Sequence, residues 1–173
     1  MSEIPDAKKC LLLLKESGCS DEVIRHCIAV RDVAVRIARY AGADVKLVEA
    51  GALLHDIGRS RIHSISHAVE GVKIAKQLGL PISIVNIIER HIGAGIPKEE
   101  SVLLGLPAKD YIPETLEEKI VAHADNLIDG DKRQKMEDEI NKALRKGQKT
   151  HAERLMNLHK ELCERCKMNL DEL

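Results

Sequence analysis

The chain has 173 residues with a net charge of −1, enough for one domain with a real core. That charge provides no long-range pull toward DNA, RNA or an anionic membrane. With no Phe or Trp and only two Tyr, the core must be aliphatic, and the aromatic platform that usually holds single-stranded nucleic acid is excluded.

No apolar stretch approaches the roughly 20 residues of a membrane span. The run from Leu11 to Leu14 is too short for a signal-peptide core and is not followed by small cleavage-site residues. Five cysteines, an odd number without a regular framework, fit reduced thiols. A cytoplasmic protein with no membrane partner is expected.

In chain order, Pro5 leads into a helix from Ala7 to Ser17, stopped by Gly18. Ser20 caps the next helix, with Asp21 and Glu22 in a first turn that favours negative charge. Between Asp21 and Ala41, Val23, Cys27, Val30, Ala34, Ile37 and Ala38 recur at helical steps, and His26 borders this stripe. Gly42 ends it. Asp44 caps a third helix that runs through Val48, Ala52 and Leu53 to His55 and Asp56, with Gly58 just beyond as its stop signal.

Arg59 to Ile65 reads as short, polar and irregular. Ser66 is the expected cap of a helix from Ala68 to Leu78, closed by Gly79. Pro81 starts another helix, Ile82 to Arg90, apolar on nearly all sides and therefore central. Residues 93 to 113 hold three glycines and three prolines and form a loop with one helical turn near Lys98 to Leu103. A loop this long in a compact domain is more often functional than idle.

A helix beginning at Glu114 or Thr115 carries Ile120, Val121, Ala124, Leu127 and Ile128, together with His123 and Asp125. From Asp131 to Leu173 the chain is charged and helical. Met136, Ile140, Leu144, Leu155, Leu158 and Leu162 form a stripe, interrupted at Gly147, in two helices or one bent helix. This stripe covers either the core or a second copy in a homo-oligomer. Nothing reads as strand. The expected organisation is an N-terminal helix over residues 1–19, a core over 20–130, and a C-terminal helical segment over 131–173.

The chemistry concentrates at His55-Asp56. An adjacent imidazole and carboxylate at a helix end suit Zn, Mn or Fe(II), but the pair fills only two coordination positions. With His26 upstream and Asp125 downstream, His55-Asp56-Ile57-Gly58 resembles the HD-domain metal-dependent phosphohydrolases, in the branch carrying His-Asp-Ile-Gly. His67, opening His67-Ala68-Val69-Glu70-Gly71, and His91, before a glycine-rich loop, fall where binuclear members carry extra ligands. The resemblance covers roughly residues 20 to 130. It implies an all-α bundle of about seven to nine helices with the metal site in its centre.

The resemblance further implies that Asp56 bridges two divalent ions per chain (Mn, Fe, Co or Ni, with Zn or Mg as alternatives). His26, His55 and Asp125 would complete one ion, and His67 and His91 would hold the other. The implied activity is hydrolysis of a phosphate ester or anhydride in a small nucleotide-like substrate by metal-activated hydroxide. No stable nucleic-acid complex is expected. Relatives that read cyclic dinucleotides often carry His where this chain has Ile92 and Tyr where it has Ile96, which counts against that substrate. Arg59 stands where many relatives have Lys, and its planar fork suits phosphate oxygens. Arg61, His63 and Lys98 are further candidates for substrate binding, with Asp56 and Arg59 catalytic. The competing reading is a nucleotide-binding regulatory or scaffold domain that retains the metal site.

His123 reads as structural, and Asp129 as a solvated helix end. His159, Cys163 and Cys166 share a C-terminal helix face that could suit zinc, although a packed face is the commoner meaning of such a pattern.

Overall fold

The computed structural model describes residues 3–173, and its regular structure is nearly all helix. Nine α-helices are present among these residues: α1 (Ala7–Ser17), α2 (Asp21–Ala41), α3 (Val45–Leu54), α4 (His67–Gln77), α5 (Ile82–Arg90), α6 (Lys98–Leu103), α7 (Leu116–Asn126), α8 (Met136–Arg145) and α9 (Lys149–Cys166). Short 3-10 turns lie at Ile57–Ser60 and Leu170–Glu172. The all-α expectation is met, and no described helix is long and apolar enough to cross a membrane.

The boundaries follow from capping chemistry. Asp6, Ser20, Asp44 and Thr115 each accept a backbone N–H through the side chain at a helix start, satisfying donors the helix itself leaves unpaired. At α7 the Glu118 carboxylate also reaches back to the cap backbone, completing a capping box. Gly18 and Gly42 end α1 and α2 in the left-handed region, where a Cβ would be strained.

Two aliphatic clusters form the core. One joins α2, α3 and α7 to the C-terminal helices through Val30, Ile37, Ile120, Leu127, Met136 and Leu155. The other joins α1, the first half of α2, α3, α4 and α5 through Leu14, Ile24, Leu54, Ile84 and Ile88. α2 runs through both, and the ends of α3, α5 and α7 meet between them. The Leu155, Leu158 and Leu162 row is buried inside this chain, so it covers the chain's own core.

Four local expectations are corrected. α7 stops at Asn126, and Ile128–Asp129 (β1) pairs antiparallel with Lys132–Arg133 (β2). Gly130 and Asp131 make the reversal, with Gly130 at φ +64° at the first loop position, a conformation that suits the twist of a tight hairpin.

Ser66 does not cap α4. Its backbone is already helical and its side chain makes no capping bond. The entry turn is made instead at Ser64, whose carbonyl accepts the His67 amide at 3.0 Å.

Gly58 is not a left-handed helix stop, for it lies within the 3-10 turn. A Cβ on Gly58 would lie 1.8 Å from the His67 carbonyl oxygen and 2.6 Å from the Gly71 nitrogen. Its smallness lets the backbone of α4 approach the end of α3.

Finally, Leu144 is 49% exposed, because α8 faces the core through Met136 and Ala143, and Leu144 lies past the edge of that row.

Candidate metal centre

The site forms where helix ends converge. His55 follows the last residue of α3 as its C-cap, and Asp56 comes next with φ −99° and ψ 15°, a sparsely populated conformation common at functional positions. Arg59 is three residues on. The Gly58–Gly71 approach brings α4 in, with His67 at its start, and His91 follows the last residue of α5. Asp125 lies in the last turn of α7, and His26 in the second turn of α2.

Four imidazoles are oriented the same way. Nδ1–H of His55 donates to the Ala52 carbonyl at 2.6 Å, that of His67 to Ser64 at 2.8 Å, and that of His91 to Ile88 at 2.7 Å. Nδ1–H of His26 donates to the carbonyl of Gly130 at 2.6 Å. Carbonyl oxygens only accept, so each Nδ1 carries a hydrogen and each Nε2 faces the centre, where it can take a proton or a metal cation. This is the usual way a protein orients imidazole ligands.

The Nε2 atoms fall into two sets about the Asp56 carboxylate. Asp56 Oδ2 is 3.7 Å from His26 Nε2 and from His55 Nε2. Asp125 Oδ1 completes this set, 3.0 Å from His26 Nε2 and 3.5 Å from His55 Nε2. Asp56 Oδ1 faces the other way, 3.1 Å from His67 Nε2 and 3.4 Å from His91 Nε2. The two Nε2 atoms of His67 and His91 are 3.0 Å apart.

These residues fit a metal. Asp56 Oδ1 and His55 Nε2 are buried without a hydrogen-bond partner, a costly condition unless a cation or proton satisfies them. Lone pairs of two imidazoles and a carboxylate at about 3 Å repel one another in the same way. Imidazole and carboxylate are the donors that Zn, Mn, Fe, Co and Ni accept. The site is therefore competent to hold a divalent metal.

The electrostatics agree. Burial alone would lower the pKa of His55, but Asp56, Cys27 and Asp125 raise it well above the ordinary histidine value. Burial would raise the Asp56 carboxyl, yet His55, His67 and His91 hold it well below the carboxylate range. Asp125 is lowered likewise against its burial, chiefly by His55 and His26. Buried His91 is lowered, first by desolvation.

Beside the cluster opens a cleft of about 430 Å³ lined by Arg59, His67, His91, Asp125, Lys142, Lys146 and His151, among others. Arg59 Nε donates to Asp56 Oδ2 at 2.7 Å and its Nη1 to the His63 carbonyl at 3.2 Å. His63 thus meets Arg59 through its backbone.

Arg61 and Lys98 are not brought to the cluster. Arg61 bonds Gln77 and pairs with Glu70 on α4, and Lys98 begins α6, where its amide is held by Asp110. Asp129 lines the cleft and pairs with Lys142 at 3.2 Å. His123 is fully buried against His159 on α9, with Nε2 and Nδ1 3.3 Å apart. Cys163 touches His159, whereas Cys166 turns to the Ile37 carbonyl, so the three C-terminal residues do not converge.

Sequence reasoning missed Lys142, Lys146 and His151. They come from the ends of α8 and α9, and only the chain reversal at Gly147 returns them to the cleft. The one local signal was their cluster of positive charge beside that glycine.

The fold and cluster define an all-α domain built around a His/Asp cluster able to hold a divalent metal. The chain belongs to the HD-domain family: the family model described as HD domain matches residues 23–129.

A tRNA (cytidine(56)-2'-O)-methyltransferase of Thermoplasma volcanium is 49% identical over 170 residues, covering 98% of this chain and 50% of that protein. The chain thus spans about half the length of the first curated relatives it matches. An uncharacterized protein of Methanocaldococcus jannaschii is 52% identical over 149 residues, covering 83% of this chain and 88% of that one. Among solved structures, the HD domain of L. monocytogenes phosphodiesterase PgpH in complex with cyclic-di-AMP matches with a TM-score of 0.56 and 18% identity. The match covers 87% of this chain and 92% of the other.

Proposed function

We propose that this chain is a metal-dependent phosphohydrolase that cleaves a phosphate ester or anhydride bond in a small nucleotide-like substrate. The observation that carries the reading is the division of the Asp56 carboxylate, with one oxygen toward His26 and His55 and the other toward His67 and His91. On this reading His26, His55, Asp125 and Asp56 hold one divalent ion, while His67, His91 and Asp56 hold a second. Such a pair, when bound, makes a water molecule acidic at neutral pH and offsets the charge of the phosphoryl oxygens.

The remaining tasks fall to side chains of this chain. Arg59 lies against Asp56 at the cleft and offers guanidinium donors to phosphoryl oxygens. Lys142, whose ammonium is paired with Asp129, and Lys146 line the same cleft and add positive charge to it. The C-terminal segment therefore belongs to the catalytic unit, because it supplies that charge. The buried state of His55, Asp56 and His91 strengthens every charge interaction in the site by excluding water.

A second reading has one observation in its favour. This chain corresponds to half of a longer relative named for methyl transfer, as a regulatory module would. In that case the centre binds a nucleotide without turnover.

The deciding experiment loads the protein with Mn(II), Fe(II), Co(II) or Ni(II) and screens nucleotides, dinucleoside polyphosphates and cyclic nucleotides for product. Turnover abolished by Asp56→Asn is expected. Tight binding of one compound by a fully metallated protein that turns over none would establish the regulatory reading instead.

A further inference from the structure

Three of the four clustered imidazoles are tethered within their own turns, and His26 is not. Its Nδ1–H donates to the Gly130 carbonyl at 2.6 Å, and that carbonyl stands in the turn between β1 and β2. Two strands of two residues each do not hold themselves together in water, so something else must fix the turn against α2. The pair between Arg25 and Asp131, at 3.7 Å, is exposed on both sides, and such pairs contribute little.

The fixing comes from Gln134, the residue after β2. Its backbone N–H donates to the Leu127 carbonyl at 2.9 Å, which continues the pairing of the two strands by one step. Its side-chain Nε2 donates to the Asn126 carbonyl at 2.8 Å and to the Glu139 carboxylate at 3.0 Å, while Oε1 accepts from Lys142 Nζ at 3.0 Å. Two acceptors face the nitrogen and an ammonium faces the oxygen, so the amide has one orientation. Asn126 is the last residue of α7, and its carbonyl is one of those a helix leaves without an internal partner. Gln134 thus joins the hairpin to the end of α7, next to Asp125.

That junction bears directly on His26. The ring is held at Nδ1 by Gly130 and faced at Nε2 by Asp125 Oδ1, at 3.0 Å. Gln134 ties together the two backbone segments that supply those groups. Both Gly130 and Gln134 lie past residue 129, where the HD-domain match ends, so the C-terminal segment adds this strap to the matched core.

We propose that Gln134 is a positioning residue of the metal centre. By pinning the β1–β2 hairpin to the end of α7, it holds the Gly130 carbonyl where it aims His26 Nε2 at the ion shared with His55, Asp56 and Asp125. This rests on the reading of that set as a metal site. A one-sided defect follows. Without the Gln134 amide, His26 loses its aim, while His55, His67 and His91 keep theirs.

The test uses Gln134→Met in the full chain, which keeps the length of the side chain and removes its polar atoms. Mn(II) is titrated by calorimetry in two backgrounds. In His67→Ala, which leaves the ion at the His26 side, adding Gln134→Met should weaken binding roughly 10–100-fold, as for other lost supports of a metal ligand. In His26→Ala, which leaves the ion at the His67 and His91 side, adding Gln134→Met should change nothing, because a residue that acts through His26 has nothing left to act on. A residue that merely stabilises the fold would cost the same in both.

NMR of isotope-labelled histidines gives a reading that needs no metal. In Gln134→Met the His26 Nδ1–H should lose its protection from exchange with water, and those of His55, His67 and His91 should retain it. Equal weakening in the two backgrounds, no weakening in His67→Ala, or a His26 Nδ1–H as protected as in the wild type would overturn the assignment. A wild type that takes up no divalent ion removes the metal reading instead, and exchange at His26 still decides whether Gln134 aims that ring.

Discussion

His67 and His91 come from different helices and hold their Nε2 atoms 3.0 Å apart, each with its Nδ1–H committed to a backbone carbonyl. A close pair of lone pairs invites a cation. The protein should therefore bind more than one divalent ion per chain, and His67→Ala should reduce the count to one. Elemental analysis with a metal titration measures this. Saturation at a single ion, indifferent to His67→Ala, would leave a mononuclear centre.

Arg59 and Asp56 give two contrasting variants. Asp56→Asn keeps the shape but removes the charge that faces both nitrogen sets, so both metal affinity and hydrolysis should collapse. Arg59→Ala removes a donor that sits 2.7 Å from Asp56 Oδ2 and competes with a cation for that oxygen. Metal affinity should hold or rise, while kcat/KM falls by roughly one to two decades for a lost charge-assisted phosphate contact. A parallel loss of metal in Arg59→Ala would count against its assignment to the phosphate.

Gly58→Ala should be severe for its size. The added Cβ meets the His67 carbonyl and the Gly71 amide, both backbone, so neither can swing away. Overpacking of this kind costs about 1–3 kcal/mol, or a fall in Tm of roughly 2–4 °C per kcal/mol for a domain of this size. Differential scanning calorimetry should show that fall, with weaker binding of metal at the His67 and His91 side. An unchanged Tm would mean the close approach is not as tight as its geometry.

Acid sensitivity should report His123. Burial, followed by the charges of His159 and Arg133, lowers its pKa from the histidine value of 6.5 to about 3. A folded value below the unfolded one means that the unfolded chain binds the extra proton first. Stability is then lost as pH falls from about 6.5 toward 3, at up to roughly 1.4 kcal/mol per pH unit from this group. His91, His151 and His159, also lowered, add to the slope. Asp56 and Asp125, both lowered from 3.8, withdraw stability only as pH falls through that ordinary carboxylate value and below it. Urea titrations between pH 7 and 4.5 should give a flatter dependence for His123→Asn. An identical slope would remove His123 from the account.

The parts of the site that sequence disclosed are those set by local rules. His55, Asp56, His67 and His91 sit at helix ends marked by caps, glycines or prolines within a few residues, and the same start and stop residues gave α1, α2 and α5 their bounds. What escaped was built by contacts across the chain. Lys142, Lys146 and His151 reach the cleft only because α8 reverses into α9 and α9 lies along α2 and α7. Asp129 read as a solvated helix end, because a two-residue strand has too few side chains to show alternation. Gly58 was recognised as a signal but for the wrong reason, since a glycine that admits a neighbouring backbone and one that ends a helix look alike in sequence.

The imidazole tethers also bear on the order in which the molecule assembles. His55, His67 and His91 each take their orientation from a carbonyl three residues earlier, so a single helical turn is enough to aim them. His26 waits for Gly130, 104 residues later in the chain. During refolding, three of the four rings can be set as soon as their own turns form. The fourth is aimed only when the small hairpin lies against α2, so its orientation depends on a contact across the chain and not on its own turn.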